Sequence, residues 1–264
     1  MSGRKAAVLG SPIEHSKSPQ LHLAAYRALG LVDWTYERIE CTAEQLPGVV
    51  SGFGPDWVGV SVTMPGKFAA LEFAADRTGR AQLVGSANTL LRTDRGWRAD
   101  NTDVDGVSGA LGAVHGDVVV VGAGGTARAA VVAAAGMGAR RMTVVARDPV
   151  KAEPLVKLAE AVGVVGRWRA FDDPVLADDV AAAGAVVSTI PAGAAAGHLA
   201  ALRHAAVLLD AIYDPWPTPL AVAVTETGGR VIDGLQMLLH QAFAQVEQFT
   251  GRPAPKEAMA AVLG

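Results

Sequence analysis

The chain has 264 residues, 50% of them apolar, and its 23 basic and 26 acidic residues leave a net charge of −3. That length favours two domains, and so slight a charge offers no broad attraction to phosphate backbones, which argues against nucleic acid as a partner. Cys41 is the single cysteine, so no internal disulfide forms, and neither a CxxC pair nor an HExxH helix offers a metal site. The first apolar run is too short for a signal peptide, and none approaches the roughly 18 residues that span a bilayer. The expectation is a soluble cytoplasmic protein without membrane or nucleic-acid contacts, with Cys41 a small buried hydrophobe.

From the N-terminus, short β-branched runs alternate with helical patterns: KAAVLG before SPQLHLAAYRALG, WTYERIE before AEQLPGVVSGF, and WVGVSV before the segment that follows Pro65. Such alternation argues for parallel strands with crossover helices. After the first strand comes His15-Ser16-Lys17-Ser18-Pro19-Gln20. Ser18-Pro19 reads as an N-cap followed by proline at the first helical position, which engages the Ser18 hydroxyl locally and leaves Ser16 to face a ligand. Lys67, in VSVTMPGK, stands just past a strand. Asn88, in GSANTL, and the cluster Asp100-Asn101-Thr102-Asp103 close apolar segments. Each cluster alone also fits a turn or a cap, and a lysine beside a carboxylate is a plausible proton-transfer pair.

A second series opens at Asp117. Four valines lead into Gly122-Ala123-Gly124-Gly125-Thr126-Ala127 and an alanine-rich helical run, the context in which a G-x-G-x-x-A turn brings backbone N–H groups to a pyrophosphate. RMTVVAR follows and ends in Ala146-Arg147, where an NAD site normally carries an acidic residue. Arg147 argues instead for the 2′-phosphate of NADP, with Lys151 one turn later adding charge. Asp148-Pro149 fits an N-cap and first helical residue, which accounts for that carboxylate away from a ribose. AVVST and AVLLDAIY read as later strands. In 234–250, Leu235, Leu238, Leu239, Ala242, Phe243, Val246 and Phe249 share one face of a long amphipathic helix.

Taken in order, PIEHSKSPQLH, VSVTMPGK, VGSANTL, ADNTDVDG, GAGGTARA, ARDPVKA, STIPAG, DAIYDPWPTPL and DGLQMLLHQA resemble the shikimate dehydrogenase family over nearly the whole chain. The resemblance implies an α/β fold: a substrate-binding catalytic domain over 1–103, a doubly wound Rossmann-type NADP domain over 104–233, and 234–264 packing back on the first. It implies NADPH-dependent reduction of 3-dehydroshikimate to shikimate, in aromatic amino-acid and chorismate biosynthesis, by a monomer or homodimer. On this resemblance Ser16 and Ser18 hold the substrate carboxylate with Tyr213 nearby, and Thr63, Asn88 and Gln241 bind ring substituents or carboxylate. Lys67 and Asp103 form the catalytic pair and also touch substrate. Gly122, Ala123, Gly124, Gly125, Thr126 and Ala127 cradle the pyrophosphate, Arg147 and Lys151 face the adenosine phosphate, and Thr189 and Met237 lie by the nicotinamide.

Two positions depart from the family pattern. Ala146-Arg147-Asp148 replaces the usual Asn-Arg-Thr, and Ser11-Pro12 replaces Asn-Pro. The alternatives are a quinate or dual-specificity dehydrogenase using NAD, against which Ser18 and Arg147 argue, and a nucleotide-binding sensor, which has no need of the Lys67 and Asp103 pair.

Overall fold

The computed structural model describes residues 3–263. The chain forms two compact units, one running to Asp103 and joined by the residues from Leu238 onward, the other Val104–Met237.

The first unit contains β1 (Lys5–Gly10), α1 (Ser18–Ala28), β2 (Thr35–Glu40), α2 (Leu46–Ser51), β3 (Trp57–Val62), α3 (Lys67–Phe73), β4 (Asp76–Arg77), α4 (Gly79–Val84), β5 (Thr89–Thr93) and β6 (Gly96–Asp100), in a sheet ordered β2-β1-β3-β5-β6-β4. Next come α5 (Asp103–Leu111), β7 (Val118–Val121), α6 (Gly125–Gly136), β8 (Arg141–Val145), α7 (Pro149–Ala161), β9 (Val165–Arg169), α8 (Leu176–Ala182), β10 (Ala185–Ser188), α9 (Ala192–Ala196), α10 (Leu199–Leu202), β11 (Val207–Asp210), α11 (Pro219–Glu226) and β12 (Arg230–Ile232). The chain ends in α12 (Gly234–Thr250) and α13 (Lys256–Ala260).

The first sheet is mixed rather than parallel. β1 pairs in parallel with β2 and β3, but β5 runs antiparallel to both β3 and β6. Only Asp94 and Arg95 separate β5 from β6, far too few residues for a crossover helix, so the two strands must form a hairpin. Gly96, at φ +113°, supplies the backbone conformation that completes the turn. The register sets Thr89 opposite both Asp100 and Ser61. Asn88 before β5, residues 101–103 after β6 and Thr63 after β3 therefore emerge at one end of the sheet.

Both faces of this sheet are covered, as alternation along β1 requires. Ala6 and Val8 pack with Leu21, Tyr26, Tyr36 and the α12 residues Leu239, Ala242, Phe243, Val246 and Phe249. Ala7 and Leu9 pack on the other side with Leu46, Val50, Val60, Leu90 and Trp97. The apolar stripe of α12 is thus buried, and Gln241 and Gln245 are buried with it.

The second unit is a parallel sheet ordered β12-β11-β10-β7-β8-β9, in which the chain reverses its direction of travel beside β7. All four valines of β7 are buried. Ala127, Ala130, Val131 and Ala134 of α6 join the core, and these small side chains let the helix approach the sheet closely. β9 is an edge strand of exposed and half-exposed residues, so it lacks the apolar run by which its neighbours are read. No helix among the described residues is long and apolar enough to cross a membrane.

Gly59 shows how tightly α12 is seated on the first sheet. A Cβ at this position would lie 2.1 Å from a ring carbon of Phe249. Gly59→Ala is expected to lower stability by about 1–3 kcal/mol, the usual cost of overpacking, read as a fall in Tm with the far-UV circular dichroism retained.

Candidate active site

Lys67 opens α3, and its ammonium forms an ion pair with the Asp103 carboxylate at the start of α5. The two side chains are only 14% and 7% exposed. Asp103 Oδ1 accepts a second bond, 2.9 Å long, from the side-chain amide of Asn88. Asn88 also donates to Thr102 Oγ1 at 3.0 Å and to Gln241 Oε1 at 3.2 Å. Its own Oδ1 accepts from Thr102 N at 2.7 Å and from Thr89 Oγ1 at 2.9 Å. Lys67, Asn88, Asp103 and Gln241 therefore form one buried polar cluster, Thr102 completes it, and half-buried Thr63 sits between β3 and α3.

The segment that delivers Asp103 is itself fixed. Asp100 accepts from Arg80, Thr78 and Gln248, at 2.5 Å, 2.7 Å and 2.7 Å. Asn101 donates to Ser86 O at 2.8 Å. The DNTD run is thus more than a simple turn, since each of its side chains bonds a group outside the run.

Ser16 lies on the loop after β1 and Ser18 opens α1, both buried. Glu40, at the end of β2, accepts from Ser11 Oγ and Ile13 N, and Arg38 donates twice to Ser16 O, so two charged side chains of one strand fix the loop. Ser18 is not the N-cap that the sequence led us to expect. Ser16 Oγ accepts the Ser18 N–H at 3.3 Å, while Lys17 occupies the N-cap and makes no side-chain cap bond. The Ser18 hydroxyl instead hydrogen-bonds Tyr36. The helix starts at Ser18, one residue earlier than a Ser18 cap requires, which puts the Ser18 side chain in the first turn.

A buried array that the motifs do not reveal stands behind this cluster. Tyr36 Oη donates to Ser61 Oγ at 2.6 Å, and Ser61 donates to Gln245 Oε1 at 2.7 Å. Burial drives the Tyr36 phenol well above its ordinary range, against the opposing effect of the bonds with Ser61 and Ser18. His22 stacks on Tyr36 at 4.1 Å, and its burial lowers the imidazole pKa to about 3 despite the bond to Gln245. The one available signal was Gln245 itself, four residues after Gln241 on an otherwise apolar helical face.

The remaining candidates belong to the second unit. Gly122 has φ +119°, and a Cβ there would lie 2.3 Å from Thr189 Oγ1, so a side chain is excluded on two counts. Gly124 caps α6 with an extended backbone, is exposed, and has open space where a Cβ would stand. That bare helix mouth fits a dinucleotide pyrophosphate. Arg147 and Lys151 are exposed beyond β8, whereas Asp148 accepts from Val150 N at 2.9 Å as the N-cap of α7, so its carboxylate is engaged by its own helix. The Thr189 hydroxyl donates to Val121 O, Met237 is packed into the core, and Tyr213 is half-buried. The described residues hold no cluster suited to a metal ion.

A parallel sheet with a glycine turn at its central strand, in one chain with a unit that buries a lysine–aspartate pair, defines a two-domain dinucleotide-dependent dehydrogenase. Residues 8–90 match the shikimate dehydrogenase substrate binding domain, and 234–263 match the shikimate 5′-dehydrogenase C-terminal domain. The chain is 34% identical over 267 residues to shikimate dehydrogenase (NADP(+)) of Microcystis aeruginosa, covering 96% of this chain and 93% of that one. The crystal structure of Mycobacterium tuberculosis shikimate dehydrogenase is 70% identical, with TM-score 0.95 and 98% of each chain covered. A shikimate dehydrogenase solved in complex with NADP+ is 27% identical, with TM-score 0.85 over 99% of this chain and 94% of that one. The chain belongs to the shikimate dehydrogenase family.

Asp100 provides a pH test of the scaffold. Burial pushes its carboxyl up, but Arg80, Thr78 and the Asn101 N–H outweigh that, so its pKa is lowered on folding. The stabilisation is present above the unfolded value of about 3.9 and is lost as pH falls through the folded value. Asp100→Asn is therefore expected to be less stable than the wild type near neutral pH, with the gap narrowing in acid, as measured by urea unfolding across that range.

Proposed function

We propose that this chain is an NADP-dependent shikimate dehydrogenase, reversibly reducing the ketone of 3-dehydroshikimate to the alcohol of shikimate on the route to chorismate and the aromatic amino acids, in the cytoplasm. The observation that carries the reading is the buried ion pair of Lys67 and Asp103, with Asn88 and Gln241 on the same cluster. When bound, the reduced nicotinamide supplies a hydride; the protein must orient the substrate and manage one proton.

Lys67 is the proton donor to the developing alkoxide and takes the proton back in the oxidation of shikimate. Asp103 fixes the ammonium and has a carboxylate oxygen beside it to accept a substrate hydroxyl. Asn88, Gln241 and Thr63 bind the remaining ring oxygens. Ser16 and Ser18 bind the substrate carboxylate, with Tyr213 adding a phenol. Buried hydroxyls of this kind select a carboxylated polyol, because a partner that cannot satisfy them leaves polar groups unpaired at about 1–3 kcal/mol each.

For the cofactor, the turn from Gly122 to Ala127 opens α6 to the pyrophosphate, and Arg147 with Lys151 favours the 2′-phosphate. Thr189 and Met237 lie by the nicotinamide in this reading. Capping by Asp148 supports the preference for NADP, since the carboxylate that could repel a phosphate is bonded to Val150 N.

The direct test is formation of reduced nicotinamide from NADP and shikimate, followed by its absorbance; a flat trace overturns the reading. Lys67→Met keeps the aliphatic stem and removes the proton donor. It is expected to lower kcat by about 10²–10⁴-fold with shikimate affinity changed far less, and near wild-type turnover would disprove the assignment. Arg147→Ala is expected to raise KM for NADP about tenfold or more while leaving KM for NAD nearly unchanged, a contrast read from paired kinetics with the two cofactors.

A further inference from the structure

We propose that Gln245 is a positioning residue for the proton-transfer pair, acting through Asn88. Gln245 is fully buried on α12, one turn beyond Gln241, and lies behind the cluster rather than in it. Its amide holds Asn88 once directly and once through Thr89. Nε2 donates to the Asn88 backbone oxygen at 3.1 Å and to Thr89 Oγ1 at 2.8 Å. Thr89 in turn donates to Asn88 Oδ1 at 2.9 Å. With its carbonyl and its side-chain oxygen both held, Asn88 has one way to direct its NH₂, toward Asp103, Thr102 and Gln241.

The hydrogen positions follow from counting donors and acceptors. Because the Asn88 carbonyl only accepts, the nitrogen of the Gln245 amide must face it, and Oε1 must face Ser61 and His22. His22 Nε2 lies 3.3 Å from that oxygen, so it carries the proton. Burial keeps the imidazole neutral down to about pH 3, which leaves Nδ1 bare, and that atom has no partner among the described residues. The array is therefore directional. Tyr36 donates to Ser61 and Ser61 to Gln245, while Gln245 donates to Asn88 and Thr89, and Asn88 to Asp103. Turning the Gln245 amide over would put its oxygen against the Asn88 carbonyl oxygen, acceptor against acceptor, a clash that no rotation of the Ser61 or Tyr36 hydroxyl and no change of His22 tautomer relieves. The amide is locked, and the lock passes to Asp103.

This inference rests on the assignment of Lys67 and Asp103 to the chemistry, and its consequence is a rate effect rather than an affinity effect, since Gln245 lies behind the substrate-binding side chains. The experiment compares wild type with Gln245→Met, Thr89→Val, Asp103→Asn and the double variant Gln245→Met/Asp103→Asn. For each, kcat, KM for shikimate, Tm and the Asn88 side-chain NH₂ resonances are measured. Gln245→Met and Thr89→Val are expected to lower kcat about tenfold or more, part of what positioned proton transfer supplies, with KM within about twofold. Added to Asp103→Asn, Gln245→Met should cost less than about a further twofold, the non-additivity expected of residues acting through one another. The Asn88 NH₂ signals should shift and exchange faster with solvent in both single variants.

An unchanged kcat, a loss confined to KM, or losses that multiply in the double variant would overturn the proposal. If Gln245→Met does not fold, Thr89→Val alone and combined with Asp103→Asn gives the same comparison. If the wild type does not oxidise shikimate, the functional reading fails by itself, and the Asn88 resonances then decide whether Gln245 orients that amide.

Discussion

Two opposite charges, on Lys67 and Asp103, are withdrawn almost completely from water, and this sets the terms for everything built around them. Attraction between buried charges offsets their desolvation only when the remaining lone pairs and protons also find partners. Asp103 meets that condition through Asn88, and Asn88 meets it through Thr89, Thr102, Gln241 and Gln245. Each group added to satisfy one neighbour needs satisfying in its turn. The cluster grows outward until it ends at Tyr36 and His22, where large apolar surfaces take over.

This requirement explains the shape of the first sheet. Charges that lie 36 residues apart in sequence must meet, and a purely parallel arrangement would send Asn88 and Asp103 to opposite ends of adjacent strands. The hairpin of β5 and β6 returns the chain, so the residue before one strand and the residues after the other lie side by side. The second unit has no such demand. Its parallel sheet needs only a bare glycine turn at β7 and cations beyond β8, and its interior is correspondingly plain, filled by valine and alanine.

What the sequence disclosed follows the same division. Runs such as VVVVGAGG and the stripe of α12 are periodic and apolar, and they are legible because burial there is a matter of residue type. The hairpin was hidden because TLLRT and GWRAD carry arginines and an aspartate that break the apolar pattern: Asp100 pairs with Arg80, and Arg92 lies over the Trp97 ring across the hairpin itself. Lys67, Asn88 and Asp103 stood out by their motifs, yet only the fold shows that they touch. Ser18 does not cap its helix as expected, and its hydroxyl meets a phenol, Tyr36, from a strand whose approach the local sequence does not show. Gln245 was invisible for a related reason. A glutamine among leucines and phenylalanines carries no mark until Asn88, 157 positions away, supplies its acceptor.

The first unit is discontinuous: it opens the chain and is completed only by the residues from Leu238 onward. On the ribosome, Val104–Met237 is the first stretch able to close on itself, because every strand and helix of its sheet has emerged before α12 is made. The earlier segment must meanwhile wait with only α1 on one side of its sheet and with the carbonyl of Asn88 held by Val62 N alone. Translation of α12 supplies the apolar face and both glutamines together, so the unit that buries Lys67 and Asp103 matures last although it is synthesised first.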